Sequence, residues 1–259
     1  MKSIDLSSYT SIKIGPIVHV EVLKKALHVD KNTIILGGGN NLLVSSNPPK
    51  FAMLGKDFNF VHVKDNLLHI GGATPSGKIL SYAKKYNIAH FELMQKLPGT
   101  LGGMIKMNAG LKEWEIFNYL KAIKTQNGWI EKKDLEYGYR YTNIDGTIYE
   151  ASFEIHSGFD KSLLEFFKKL RDNQPNLPSA GSCFKNPANN FAGKLLDESD
   201  LKGFKVGNMA FCESHANFLV NLGNGTYDEA IKLIEIAKKR VFENSGIVLE
   251  MEIKIIDKI

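Results

Sequence analysis

The sequence predicts an α+β protein, and three observations predict it. Short alternating strands and amphipathic helices follow one another in mixed order along the 259 residues. Three turns of small residues punctuate the first half: Gly37-Gly38-Gly39-Asn40-Asn41, Gly71-Gly72-Ala73, and Pro98-Gly99-Thr100-Leu101-Gly102-Gly103 with Met107-Asn108-Ala109-Gly110. The stretch from Asn173 to Pro187 then carries Pro175, Pro178 and Pro187, which marks a crossing between domains.

Each element has its own signal. Ile17 to Leu23 alternates around His19 and Glu21 and is expected as a strand. Thr33 to Leu36 is a second, short strand that runs into the first glycine turn. Gly77 to Tyr86 places Ile79, Leu80 and Ala83 on one face, a helix with Ser76 as its N-cap. Ser162 to Arg171 stacks Leu163, Phe166, Phe167 and Leu170, again a helix. Thr226 and Glu229 form a capping box. Ala230, Leu233, Ile234, Ala237 and Val241 follow at helical spacing, and Gly246 suits the stop. Val248 to Ile255 alternates as the last strand and puts Glu250 and Glu252 on one face. No internal repeat or low-complexity segment interrupts this order.

Composition narrows the class. With 43% hydrophobic and 24% charged residues, the chain is expected to be a soluble globular protein of one large or two to three small domains. No apolar run approaches the roughly 20 residues that span a bilayer, so no membrane partner is expected. The start, MKSIDLSSYT, has no apolar core and is expected to be no secretory signal. Cys183 and Cys212 cannot build a disulfide framework and read as reduced thiols in a cytoplasmic chain. No Cys/His cluster has zinc-ligand spacing, so no metal is expected. The net charge of +5 is mild. Pairs such as Lys168-Lys169 and Lys238-Lys239 read first as solvated helix faces and second as a bias towards small anions. Nucleic acid ranks last, because no dense basic patch interleaves with aromatics.

The glycine turns carry the first chemistry. Glycine lets a flat ligand or a phosphate lie against the backbone, so three such turns point to a large cofactor gripped by main chain. Gly37-Gly38-Gly39 is not a dinucleotide fingerprint: Pro48-Pro49 follows too soon for the helix that motif must open. Successive N–H groups in such a turn still form an anion nest. Tyr139-Arg140-Tyr141 is either a surface arginine packed on rings or a carboxylate clamp. Ser179-Ala180-Gly181-Ser182-Cys183-Phe184-Lys185-Asn186-Pro187 offers hydroxyls, a thiol and an amide, without the form of a nucleophile elbow. His215 reads as a satisfied structural histidine before a catalytic one. Glu250 and Glu252 lie on a solvated face, or one of them points into a cleft.

Together these segments resemble the UDP-N-acetylenolpyruvoylglucosamine reductase family over nearly the whole chain. Thr10-Ser11-Ile12-Lys13-Ile14-Gly15 is similar to the family's N-terminal segment, and Leu36 to Leu43 to its first FAD-phosphate loop. Pro98 to Gly103 with Met107 to Gly110 is the most specific match. Tyr139-Arg140, Ala180 to Pro187, His215-Ala216-Asn217-Phe218 and Glu250-Met251-Glu252-Ile253 follow in the family's order.

The resemblance implies a vanillyl-alcohol-oxidase-type FAD-binding fold of two subdomains plus a C-terminal α+β substrate-binding domain. Its boundaries would be 1–50 and 51–172 for the flavin subdomains, with the closing strand 247–259 returning to the second, and 173–246 for the UDP-sugar domain. It implies reduction of an enolpyruvyl UDP-sugar to UDP-N-acetylmuramate by NADPH through FAD, in peptidoglycan precursor synthesis. Cofactor contacts would come from Gly37, Gly38, Gly39, Asn40, Asn41, Leu42, Gly72, Ala73, Pro98, Gly99, Thr100, Gly102, Gly103, Asn108, Ala109 and Gly110. Arg140, Ser182 and Glu252 match the catalytic positions, and Tyr139, Arg140, Lys185 and Asn186 match substrate contacts. Glu252 is preferred to Glu250 because it directly precedes an aliphatic residue, Ile253, as the family's final acidic residue does.

The segment between Arg140 and Ser182 lacks the insertion that one subgroup uses to lay a tyrosine over substrate, so the chain resembles the compact subgroup. Leu111 to Trp114 replaces the usual continuation after Gly110, and Lys96-Leu97 precedes the Pro-Gly-Thr run. None of the seven histidines lies in the glycine turns, so FAD is expected to be held non-covalently. A monomer is expected. Two rivals stand beside this reading: another flavin oxidase of the same fold, and a flavin-free UDP-sugar-binding module.

Overall fold

The computed structural model describes residues 1–172 and 174–258. Asn173 and Ile259, the expected first residue of the substrate domain and last residue of the closing strand, lie outside the described residues. The chain divides into two compact units. The first holds residues 1–2, 19–38 and 50–172; the second holds 3–18, 39–49 and the described residues from 174 on. The expected 1–50 segment is therefore shared between the two, while Asp172 ends the first.

The first unit is built on a five-stranded antiparallel sheet in the order Gly128–Glu131, Leu120–Thr125, Glu150–Glu154, Leu67–Gly71, Val61–Lys64. Alternation drives it: Leu68, Ile70, Ile123, Ala151 and Phe153 turn inward. The helix Ser76–Lys85 covers them with Ile79 and Ala83. Beside this core, Val20 to Leu23 pairs in parallel with Phe51–Leu54, which also pairs with Ile34–Ile35. The strand expected at Thr33 to Leu36 shortens to Ile34–Ile35, because the Thr33 N–H turns back to the Asp30 carbonyl at 2.9 Å. Ser76 does not cap its helix. It is the first helical residue, Pro75 takes the cap position, and the Ser76 N–H donates to the Gly99 carbonyl at 3.0 Å. The helix Lys161–Arg171 begins where the Asp160 carboxylate accepts from the Ser162 N–H.

The second unit carries a four-stranded antiparallel sheet in the order Ser179–Ser182, Phe218–Asn221, Met209–Phe211, Lys205–Val206. The helix Tyr227–Ser245 packs Ala230, Leu233, Ile234, Ala237 and Val241 into its core. The capping box forms as predicted, and Gly246 closes the helix at φ +70°. The last strand is shorter than its alternation implies. The Glu252 and Ile253 N–H groups both converge on the Cys183 carbonyl, at 2.9 and 3.4 Å, so regular pairing slips. Met251 keeps only a single bridge to Phe184, and the strand proper is Lys254–Ile256. It runs parallel to Leu42–Val44, outside the 51–172 segment to which a return was expected.

No helix among the described residues is long and apolar enough to cross a membrane. Among the described residues, no three His, Cys, Asp or Glu side chains gather to hold a metal ion.

Candidate active site

In the first unit the second and third small-residue turns come together through their main chains, and the first meets the third at Thr100. The Gly102 N–H donates to the Gly72 carbonyl and the Leu101 N–H to the Thr74 carbonyl, both at 2.9 Å. Pro75 and Thr100 form a bridge between the same two turns. A side chain on Gly37 would place its first carbon 2.9 Å from the Thr100 hydroxyl, and one on Gly103 would come within 3.7 Å of the same atom. The first and third turns therefore face each other across Thr100, with no side chain from either glycine between them. Gly72 is required for a different reason: an added carbon would lie 2.1 Å from the Ile148 carbonyl. The loop continues across the division of the chain, since Gly38 closes a segment of the first unit and Gly39 opens one of the second. There the Gly39 carbonyl accepts from the Ser11 N–H at 3.1 Å, and Leu42 begins the strand already described. Pro98 is exposed, and Gly38, Asn40, Ala73, Gly99 and Thr100 are half-buried.

Arg140 stands at the tip of a tight hairpin, between Tyr137–Gly138 and Tyr141–Thr142. Its φ is +54°, a conformation that L-residues adopt at a cost and that clusters at functional sites. The Met107-Asn108-Ala109-Gly110 segment holds this tip. Asn108 is fully buried, and its amide donates to the Gly138 carbonyl at 3.0 Å and to Glu115 at 2.7 Å. The Gly110 carbonyl accepts from the Arg140 guanidinium at 2.8 Å. Ala109 and Gly110 are buried beneath. Tyr139 is 46% exposed and lies under the guanidinium, 5.0 Å from ring centre to charge. The asparagine and glycine expected to face a cofactor thus also serve to place the arginine.

Sequence reasoning missed a second arginine. Arg171 is buried, and its guanidinium donates to the Leu93 and Gln95 carbonyls just before the Pro98 turn. Burial and the nearby positive charge of Arg140 hold it down to about 10. A signal was available: Arg171 lies four residues after the buried Phe167, on the apolar face of its helix.

In the second unit, Ser182 ends its strand opposite Phe218 after a break in register. Gly181 makes that break at φ +85°, with open space where a side chain would start. Ser182 is half-buried and Cys183 behind it fully so, where burial pushes the thiol well above its usual range. The Cys183 carbonyl accepts from the Glu252 N–H, so Ser182 and Glu252 lie on adjacent, cross-bonded segments. The Asn41 amide donates to the Glu252 carbonyl at 3.0 Å. Glu252 is half-buried, whereas the Glu250 side chain is 74% exposed and paired at 3.4 Å with Lys185. Asn186 Oδ1 accepts from the N–H of Ala192, the first residue of the helix Ala192–Glu198, at 3.0 Å.

His215 accepts the Asn217 N–H on Nδ1 at 3.3 Å and packs edge-on against Phe218; burial lowers its pKa. Its ring nitrogen is satisfied by the neighbouring main chain, which fits the structural reading of this histidine. The structure describes Arg140 in the first unit and Ser182 with Glu252 in the second.

A mixed α/β chain with converging glycine turns in one unit, and a serine cross-bonded to a glutamate segment in the other, has the makings of a cofactor-dependent enzyme. Residues 173–256 match the family model described as UDP-N-acetylenolpyruvoylglucosamine reductase, C-terminal domain. The chain is 46% identical to the UDP-N-acetylenolpyruvoylglucosamine reductase of Helicobacter hepaticus over 257 residues, covering 98% of each. It is 42% identical to that of Campylobacter jejuni RM1221, covering 98% of this chain and 99% of the relative. Its fold matches the crystal structure of the Thermus caldophilus reductase with a TM-score of 0.86 at 26% identity, over 99% and 98% of the two chains. The chain belongs to the UDP-N-acetylenolpyruvoylglucosamine reductase family. Its fold is the one the resemblance implied, a flavin-binding part followed by a C-terminal substrate-binding part.

Proposed function

We propose that this chain reduces the enolpyruvyl group of UDP-N-acetylglucosamine enolpyruvate to UDP-N-acetylmuramate, using NADPH and non-covalently bound FAD, in peptidoglycan precursor synthesis. The observation that carries the cofactor reading is the convergence of the three turns on Thr100. Gly37 and Gly103 leave a cradle that a side chain on either would fill, which fits a cofactor held by main chain. Gly37, Gly38, Gly72, Ala73, Gly99, Thr100 and Gly103 would hold it in the first unit, with Gly39, Asn40, Asn41 and Leu42 continuing the same loop. When bound, FAD would supply the hydride chemistry that links the nicotinamide to the terminal enolpyruvyl carbon.

The rest falls to the protein's own side chains. Hydride arriving at the terminal carbon leaves negative charge on the neighbouring carbon and its carboxylate. The planar, cationic Arg140 guanidinium stabilises that charge. Glu252 in its neutral form adds a hydrogen bond to the same charge. Ser182 donates its hydroxyl proton to the carbanionic carbon, which completes the addition of two hydrogens across the double bond, and solvent returns a proton to the serine oxygen. Lys185, Asn186 and Tyr139 contact the UDP-sugar. The reading includes a cytoplasmic monomer.

The test uses the purified holoprotein. Its visible spectrum is expected to be that of oxidised flavin, to bleach with NADPH, and to recover on addition of the enolpyruvyl UDP-sugar. Acid precipitation is expected to release all colour to the supernatant. A colourless protein, or one whose reduced form recovers only with oxygen, overturns the reading.

A further inference from the structure

We propose that Asn217 is a positioning residue that sets the offset between Ser182 and Glu252; this rests on Ser182 being the proton donor. Asn217 is 3% exposed and touches no reacting group, yet it makes four hydrogen bonds around the serine segment. Its Oδ1 accepts from the Phe184 N–H at 3.0 Å, and its Nδ2 donates to the Phe184 carbonyl at 2.8 Å. Its own carbonyl accepts from the Cys183 N–H at 2.7 Å, and its own N–H donates to His215 Nδ1 at 3.3 Å.

The geometry explains why an amide is needed. Strand pairing ends at Ser182 opposite Phe218. Beyond that point the Asn217 side chain stands in for a neighbouring strand, one acceptor and one donor meeting one N–H and one carbonyl. The other edge of the same segment is bonded to the chain that carries the glutamate. The Cys183 carbonyl takes the Glu252 N–H, and the Lys185 N–H donates to the Glu250 carbonyl at 2.8 Å. The residues after Ser182 are therefore clamped from both sides, and Asn217 is the side-chain half of the clamp. Leucine has similar volume but offers neither donor nor acceptor, so the segment would lose its register on that side.

The experiment compares Asn217→Leu, Asn217→Asp, Ser182→Ala and the double variant Ser182→Ala/Asn217→Leu as holoenzymes. In Asn217→Leu, exchange of the Phe184 amide is expected to speed up. Reoxidation of reduced enzyme by substrate is expected to slow by about 10- to 100-fold through kcat rather than KM, the scale of a small misplacement of a reacting group. Flavin reduction by NADPH is expected to change little. The double variant should be no slower than Ser182→Ala. Asn217→Asp keeps the acceptor for the Phe184 N–H but sets a second acceptor against the Phe184 carbonyl in place of the donor, so it should also slow the same half-reaction, and it carries the test if the leucine variant does not fold. Wild-type reoxidation in the leucine variant overturns the proposal, as does equal slowing of both half-reactions. If the leucine variant does not fold, wild-type reoxidation in Asn217→Asp overturns it. If Ser182→Ala itself reoxidises at the wild-type rate, the proton-donor reading falls and takes this proposal with it. A slow Ser182→Ala beside a fast Asn217→Leu removes only the role of Asn217.

Discussion

The glycine turns and Arg140 hairpin of the first unit contrast with the Ser182 and Glu252 segments of the second. In the first unit, position is set by backbone shape. Gly72 meets the Ile148 carbonyl where a side chain would start, a side chain on Gly37 would press on the Thr100 hydroxyl, Gly103 leaves space open, and Arg140 holds a left-handed φ of +54°. In the second, position is set by hydrogen bonds between extended segments. Asn217 and the Glu252 main chain bracket Cys183 and Phe184, and Asn41 holds the Glu252 carbonyl. A site of the first kind is damaged by adding atoms, and one of the second by removing partners.

The largest effect is expected in the second unit. Ser182→Ala removes the proton donor without adding volume, so reoxidation by the enolpyruvyl substrate should slow by at least roughly 10²-fold. NADPH-driven flavin reduction should stay near the wild-type rate, because no proton reaches substrate carbon in that step. Glu252→Gln should cripple the same half-reaction. Glu250→Gln should not, since its partner Lys185 is met at 3.4 Å by a side chain 74% exposed, and such a pair contributes little. Stopped-flow traces with the two glutamate outcomes reversed would move the acidic role to Glu250. Arg140→Lys should also slow reoxidation, short of the serine loss, because a point charge keeps the attraction but not the planar fork.

The contrast also explains which parts were legible in the sequence. Features that depend on a few neighbouring residues were readable. The Thr226/Glu229 capping box, the Ile17–Leu23 strand and the glycine turns all stand where their local patterns put them. Features set by distant partners were not. Ser76 looks like an N-cap, but its N–H is claimed by Gly99, more than twenty residues on. The alternation of Val248 to Ile255 predicts one strand, but the Cys183 carbonyl takes two of its N–H groups and splits it. Asn217 sat in a motif with no assigned role, because its side-chain partner, Phe184, is 33 positions away. Arg171 entered the reading only as the last residue of a helix, because the Leu93 and Gln95 carbonyls it bonds lie more than seventy residues away.

A middle-sized effect distinguishes two kinds of glycine requirement in the first unit. An added carbon on Gly102 would sit 3.2 Å from the Gly72 carbonyl and 3.4 Å from that of Ile148, so any side chain presses on main chain. On Gly103 it would find only the Thr100 hydroxyl at 3.7 Å. Gly103→Val should therefore lose bound flavin yet melt close to flavin-free wild type, whereas Gly102→Val should lose flavin and melt below it. Flavin-to-protein ratio and thermal melting, measured together, check this. A Gly103→Val protein that purifies with full flavin would take that residue out of the cofactor cradle.

The smallest effect is expected where neither mode of positioning operates. Thr226 caps the helix Tyr227–Ser245, its hydroxyl accepting from the Glu229 N–H at 3.2 Å while Glu229 accepts from the Thr226 N–H at 3.0 Å. Thr226→Ala removes one half of this exchange from an exposed helix end. The loss should be about 1 kcal/mol, which lowers Tm by roughly 2–4 °C in a chain of this size. That helix shares a core with Cys183 and Phe184, but the substitution alters only its exposed first turn, so both half-reactions should keep their wild-type rates below the melting range. Slowed reoxidation at 25 °C in Thr226→Ala, with flavin reduction intact, would show that the hydrogen-bonded clamp around Ser182 responds to global stability. The distinction between a locally held serine segment and its scaffold would then not hold.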